Sequence, residues 1–377
     1  MRNIVKKTTL VSSLVLALSA NSMYAQSFEW ISSTEGNTWQ KSKAKLQTNA
    51  AQTPILDVNG SEEGTVFKAW GTCFNELGWD ALNMLPRKEQ ETILHKLFSP
   101  EGELRFTMGR FSMNANDYAR DWYSCDEVPG DFQLKYFNIN RDKTTLIPFI
   151  KAAQQYNPNM TFWMSPWSPP SWMKINHYYS VRSDRNQNQM SPLSDVALFE
   201  GSKEKNTKVF PQQLAVNDYF IQDPRYLQTY ANYFCKFIDA YKQQGIAISM
   251  VMFQNESWSY TNYPGCAWTA EGIIRFNTEY LAPTLKKQHP EIKLYLGTIN
   301  TNRYDVIDQV LSDPRMPETI QGVGFQWEGG QILPKLRAKY PQYKYVQTES
   351  ECGWGEMVAE KAKLVMKINT GAAVLGL

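Results

Sequence analysis

Seven short apolar runs, separated by amphipathic stretches, constrain this chain more than any other feature of it. They are VFKAWGTCF (66–74), LRFTMGRFSM (104–113), MTFWMSPW (160–167), IAISMVMFQNE (246–256), KLYLGTIN (293–300), TIQGVGFQW (319–327) and YKYVQTE (343–349). Such runs lack the alternation of a half-solvated strand, so they suit a parallel sheet covered by helices. The helices come from the intervening stretches. Asp223–Pro224 is an N-cap and first-turn pair, and Leu227, Tyr230, Ala231, Phe234, Phe237, Ile238 and Tyr241 then fall on one face, with Gly245 following. Thr269 opens a second helix, with Ile273, Ile274, Phe276, Tyr280 and Leu281 on its stripe. Seven strands with helices between them predict an α/β fold, a (β/α)8 TIM barrel rather than a doubly wound sheet. No GxGxxG or GxxxxGK[ST] follows a strand, which removes the main support for nucleotide binding.

A barrel of this kind carries its chemistry at the C-terminal ends of its strands. Two runs end there on a carboxylate, Glu256 in FQNES and Glu349 in VQTES, three strand-to-strand steps apart. Opposed carboxylates across a sugar-sized gap are what glycoside hydrolysis needs: one acid protonates the leaving oxygen, and the other carboxylate attacks the anomeric carbon or activates water. Trp163, Trp167, Trp172, Trp258, Trp327 and Trp354 cluster near the same strand ends. Flat indole faces pack on sugar C–H faces, although Trp163 reads as a core residue. Trp167 lies in SPWSPPSW, a proline-rich bend past a strand. The long polar stretch 191–220 is a strand-to-helix loop that either shapes the cleft rim or is a plain insertion.

Composition narrows the classes. The 377 residues open with MRNIVKKTTLVSSLVLALSANSMYA, a basic segment, an apolar stretch and small residues ending at Ala25. That reads as a secretory signal cleaved after Ala25, too short for a membrane span, and predicts a secreted or periplasmic protein with no integral membrane segment after cleavage. Without residues 1–25 the chain carries 36 basic and 37 acidic residues, so net charge gives no reason to expect nucleic acid as a partner. Five scattered cysteines and three distant histidines show neither a disulfide framework nor zinc spacing, and no metal is expected.

SPWSPPSWMK (165–174), FQNES (253–257), GFQW (324–327) and QTES (347–350), in this order and each at a strand end, resemble the motifs of glycoside hydrolase family 30, which includes glucosylceramidase-like enzymes, β-1,6-glucanases and β-xylosidases. The likeness extends through GRFSMNANDYARDWYSCDEVPGDFQLKYFNIN (109–140) and runs from about Lys68 to Trp354. The resemblance implies a retaining barrel with acid/base and nucleophile on the fourth and seventh strands, and no cofactor. By position it makes Glu256 the acid/base, Glu349 the nucleophile and Asn255 the amide that binds the sugar 2-hydroxyl. It makes Arg110 an arginine beside the nucleophile, Asp117 a carboxylate gripping sugar hydroxyls, Trp167 an indole at the glycone pocket, and Gln326 and Trp327 a polar–Trp pair beside the subsite. Arg110 is equally readable as a structural ion-pair partner. Glu351 is expected to lie past the end of its strand.

The chain departs from the family at Tyr118, where Phe is usual, at Ser112, where Pro is common, and after the seventh strand. A helix near 355–368 and a short eighth strand in 371–377 are expected, without the tryptophan-bearing strand end and the β-sandwich strands that follow in the family. The barrel of residues 66–377 is therefore expected to be truncated near strand 8, with residues 26–65 a remnant of the side domain. The expected function is hydrolysis of β-linked glucosides or related glycans, the partner being an oligosaccharide, polysaccharide or glycoside. The alternatives are a non-catalytic carbohydrate-binding remnant and an endo-acting xylanase or glucanase.

Overall fold

The computed structural model describes residues 28–34, 37–44, 69–182 and 217–349. The chain divides into two units, residues 1–63 and 64–377. In the first, β1 (Phe28–Thr34) and β2 (Asn37–Ala44) form an antiparallel pair with Trp30 opposite Ser42, and the register shifts between Ser32 and Thr34.

In the second unit all seven predicted runs form strands: β3 (Gly71–Phe74), β4 (Met108–Met113), β5 (Thr161–Pro166), β6 (Ile248–Met252), β7 (Lys293–Ile299), β8 (Gly322–Gln326) and β9 (Lys344–Glu349). Each is shorter than its apolar run, because several apolar flanks lie in the turns that enter and leave the sheet. The strands are parallel and pair strictly in sequence order, β3 to β9. A doubly wound sheet would reverse its order at a switch point; this one winds in one direction and curls as a TIM-barrel wall. The expected helix at 355–368 and strand at 371–377 lie outside the described residues, as does most of the 191–220 loop.

Strand alternation splits the apolar residues into two layers. Phe111, Phe162, Val251, Leu294, Leu296, Val323 and Phe325 point outward under the helices. Trp163, Met250, Met252 and Tyr295 pack inside the curl with Met108 and Val346. Space inside is tight. A Cβ on Gly322 would lie 2.3 Å from the Tyr295 ring, and one on Gly324 2.5 Å from the Met252 sulfur.

The helix after Asp223 spans Pro224–Gln243 as expected; Asp223 caps it by accepting from the Arg225 N–H at 2.8 Å, and Gly245 at φ +71° provides the left-handed exit. Its Tyr241 ring stacks on Phe111, centroids 4.8 Å apart, clamping the helix to β4. The helix after Thr269 is less regular. It runs Ala270–Arg275, widens to a π turn over Phe276–Leu281 and resumes as Ala282–Gln288. Pro283 has no N–H, and its ring would meet the carbonyl one α-turn back; the wider turn removes that clash.

Phe111 is fully buried. Phe111→Ala is expected to cost about 3–5 kcal/mol of unfolding free energy with an unchanged denaturant dependence, measured by urea titration.

Candidate active site

The site is organised around Arg110. The side chain lies two residues beyond Met108 on the inward face of β4 and is 3% exposed. Nη1 donates to Glu349 Oε2 at 2.8 Å and to the Thr348 carbonyl at 3.3 Å. Nη2 donates to Asn255 Oδ1 at 2.7 Å and Ser165 Oγ at 3.0 Å. The guanidinium lies 4.9 Å from the Trp163 ring and 4.3 Å from the Trp167 ring. Trp163 is thus a core residue, as expected. Trp167 is 3% exposed, with the guanidinium over its ring.

Past β6 the chain is fixed residue by residue. The Asn255 N–H donates to the Pro166 carbonyl at 2.7 Å, and Gln254 Nε2 to the Trp167 carbonyl at 2.6 Å. Asn255 Oδ1 also accepts from Thr298 Oγ1 at 3.0 Å, with Gln326 Nε2 3.4 Å away. The Arg110 and Thr298 donors fix the amide's orientation and leave its N–H2 without a hydrogen-bond partner among the described residues. Glu256 follows at φ +50°, a left-handed conformation that costs a non-glycine residue energy, and its N–H donates to Thr298 Oγ1 at 3.1 Å.

Gln326, fully buried at the end of β8, joins the two carboxylates. Its Nε2 donates to Glu256 Oε1 at 3.0 Å and lies 3.4 Å from Glu349 Oε2. The two carboxylates, acceptors only, fix the N–H2 end toward themselves, and the Oε1 end lies 2.9 Å from Thr348 Oγ1, whose hydroxyl also reaches the Phe325 carbonyl at 3.0 Å. Trp327, also left-handed at φ +49°, donates its indole N–H to Glu349 Oε1 at 3.1 Å. Gln326 and Trp327 therefore hold the carboxylates themselves.

The two acids have different surroundings. Glu349 is paired with Arg110 and its side chain is 31% exposed. Glu256 is buried, and burial first, then the Glu349 charge, pushes its carboxyl up from the ordinary range; hydrogen bonds from Tyr263 and Gln326 oppose the rise. Asp117 is open to solvent at its surface, yet the protein crowded around it, with a smaller push from Glu349, lifts its carboxyl to about 6. Burial pushes the neighbouring Cys73 thiol up to about 12, which favours the thiol over the thiolate.

Every site residue named from the sequence falls within this cluster or beside it. Trp172 and Trp258 belong to the core instead, and Trp354 and Glu351 lie outside the described residues. Sequence reasoning missed Ser165 and Thr298, which sit at strand ends as the named residues do, and Tyr263, whose hydroxyl donates to Glu256 Oε2 at 2.9 Å. Among the described residues no group of three or more His, Cys, Asp or Glu is arranged for a metal, and no helix is long and apolar enough to cross a membrane.

Two carboxylates close together at the C-terminal mouth of a parallel barrel wall are the pair of groups that glycoside hydrolysis uses. The sequence model of the glycosyl hydrolase family 30 TIM-barrel domain matches residues 67–188 and 218–361, and the chain belongs to this family of O-glycosyl hydrolases. It is similar to putative glucosylceramidase 4 of Caenorhabditis elegans, 26% identical over 340 residues that cover 86% of this chain and 59% of the nematode protein. In fold it is similar to SrfJ from Salmonella typhimurium (TM-score 0.70, 19% identity, 88% of this chain and 67% of that one). The endo-β1,6-glucanase BT3312 is comparable (TM-score 0.66, 20% identity, 86% and 65%). The chain spans about half the length of the curated relatives it matches.

Because the folded pKa of Glu256 is raised, the stability linked to its protonation is complete below its unfolded value of 4.5 and is lost as pH rises through the folded value. Glu256→Gln removes that loss. The variant is expected to melt above wild type at neutral pH, with the gain shrinking towards zero below pH 4.5, in thermal scans across pH.

Proposed function

We propose that the chain is a retaining β-glycosidase that cleaves β-linked glucosides or related glycans by double displacement. The observation that carries this reading is the Gln326 amide shared by Glu256 and Glu349. Two oxygens within 3.0 and 3.4 Å of one nitrogen are closer to each other than about 6.5 Å, where the spacing of inverting enzymes begins. That spacing supports the retaining arrangement over one that holds a water between carboxylate and sugar.

In the first step a Glu349 oxygen forms a bond to the anomeric carbon as the glycosidic C–O bond breaks, and Glu256 gives its proton to the leaving oxygen. In the second, water attacks the same carbon, its proton returns to Glu256, and the ester to Glu349 breaks. The Arg110 charge suits a carboxylate at position 349, and burial suits a proton at 256. The free N–H2 of Asn255 is available to the sugar 2-hydroxyl, and Asp117 to other ring hydroxyls. No cofactor takes part in either step.

The substrate class rests on the glucosylceramidases and endo-1,6-β-glucanases among the relatives, and product length from β-1,6-glucan separates exo from endo action. We also propose export, directed by residues 1–25.

A 2-deoxy-2-fluoro β-glucoside should leave a stoichiometric adduct on Glu349, seen by intact mass and peptide mapping. Glu349→Gln should abolish turnover. Glu256→Ala should slow glycosides with poor leaving groups by about 10²–10⁴. Folded protein that binds glycan in calorimetry but forms no adduct would replace this reading with a carbohydrate-binding one.

A further inference from the structure

We propose that Tyr263 is a positioning residue for the acid/base: its hydroxyl fixes the rotation of the Glu256 carboxyl and stabilises the carboxylate left after each proton donation. The proposal rests on the glycosidase reading above and assigns a role to a residue no motif marks. The Tyr263 O–H donates to Glu256 Oε2 at 2.9 Å while Gln326 Nε2 holds Oε1 at 3.0 Å. With both oxygens gripped from different sides, the carboxyl plane cannot turn without losing a bond. Ser259, whose Oγ accepts from Asn300 Nδ2, adds a smaller pull in the same direction on the Glu256 carboxyl.

Tyr263 is itself held in an irregular loop by an unusual fastener. Thr261 Oγ1 donates to the Tyr263 carbonyl at 2.8 Å, and Pro264 pairs with Ser180. The fully buried Lys174 donates from Nζ to the Gly265 carbonyl at 2.6 Å, to the carbonyls of Tyr179 and Ser180 at 2.7 and 3.1 Å, and to Ser168 Oγ at 3.3 Å. One ammonium thus ties the loop that carries Tyr263 to the loop that follows Trp167. Burying a lysine costs several kcal/mol unless each N–H is met, and here acceptors outnumber the three donors.

The charged and titratable groups around Glu256 are Glu349 across the gap, the Tyr263 phenol, and, one step further out, Arg110 and Asp117. Glu349 and burial make Glu256 a weaker acid; the Tyr263 bond makes it a stronger one, because a donor favours the charged form. Removing that bond should therefore raise the alkaline limb of the pH profile.

The test compares wild type with Tyr263→Phe in pH profiles of kcat/KM for an alkyl β-glucoside and a 2,4-dinitrophenyl β-glucoside. The alkaline limb should move up by about one pH unit. Hydrolysis of the alkyl glucoside should fall about tenfold, while the dinitrophenyl glucoside, which leaves without a proton, should keep its rate. A limb that stays put, or equal slowing of both substrates, overturns the proposal. Site-specific 3-fluorotyrosine at position 263, a stronger donor of nearly the same shape, should move the limb down and serves if the Phe variant folds poorly. Titration of Glu256 by ¹³C NMR, assigned with Glu256→Gln, gives the same answer without turnover. If wild type forms no adduct and hydrolyses nothing, the glycosidase reading fails, and an NMR titration of Glu256 unmoved by Tyr263→Phe would independently refute the Tyr263 bond.

Discussion

A single buried guanidinium organises the chemistry of this protein. Arg110, on β4, contacts residues at or just past the ends of β5, β6 and β9, so the relative positions of Ser165, Asn255 and Glu349 are set by one planar fork of donors. Taking a cation out of water is costly, and a lone ion pair rarely offsets the loss. Here the offset comes from a charge-assisted bond to Glu349, three further acceptors and two indole faces. Lysine could not replace it, since a point charge cannot bond in two directions within a plane. Only Nε, among the described hydrogen-bonding atoms of Arg110, is without a partner.

Gln326 completes what Arg110 begins. Two carboxylates at close range repel, and the electrostatic answer is to bring donors to both while leaving one of them poorly solvated. The neutral amide does this without adding charge: it bridges Glu256 and Glu349, and its carbonyl end lies against Thr348. The left-handed backbone at Glu256 and at Trp327 belongs to the same design. Trp327 directly follows β8 and Glu256 lies four residues past β6; each adopts a turn the backbone resists and is held there by bonds made elsewhere in the site.

Much of this was legible in the sequence for a simple reason. Parallel strands of a covered sheet are unbroken apolar runs, so the polar residue that ends a run marks the barrel mouth; Glu256 and Glu349 lie there, and the surrounding tryptophans and the family motifs single them out. Arg110 is reached only through the family resemblance, because LRFTMGRFSM also holds Arg105 and the apolar pattern does not separate the two. Other contacts left no such trace. Tyr263 sits in SYTNYPGC, where no periodicity assigns a direction to any side chain, and Lys174 follows a tryptophan-rich bend where a lysine reads as solvated. Likewise the π turn at Phe276–Leu281 follows from where Pro283 falls relative to a carbonyl, which a stripe of apolar positions does not reveal.

The bond between Arg110 and Glu349 also has a consequence in time. Its partners are 239 residues apart in the chain. At synthesis rates of about 5–20 residues per second, the arginine leaves the ribosome on the order of 10–50 s before the glutamate that neutralises it. Throughout that interval the first strands carry an unmatched charge on the face that must become the interior. The ion pair is thus among the most non-local contacts of the site, and the charge of Arg110 is matched only where β4 and β9, the last described strand of the wall, are both in place.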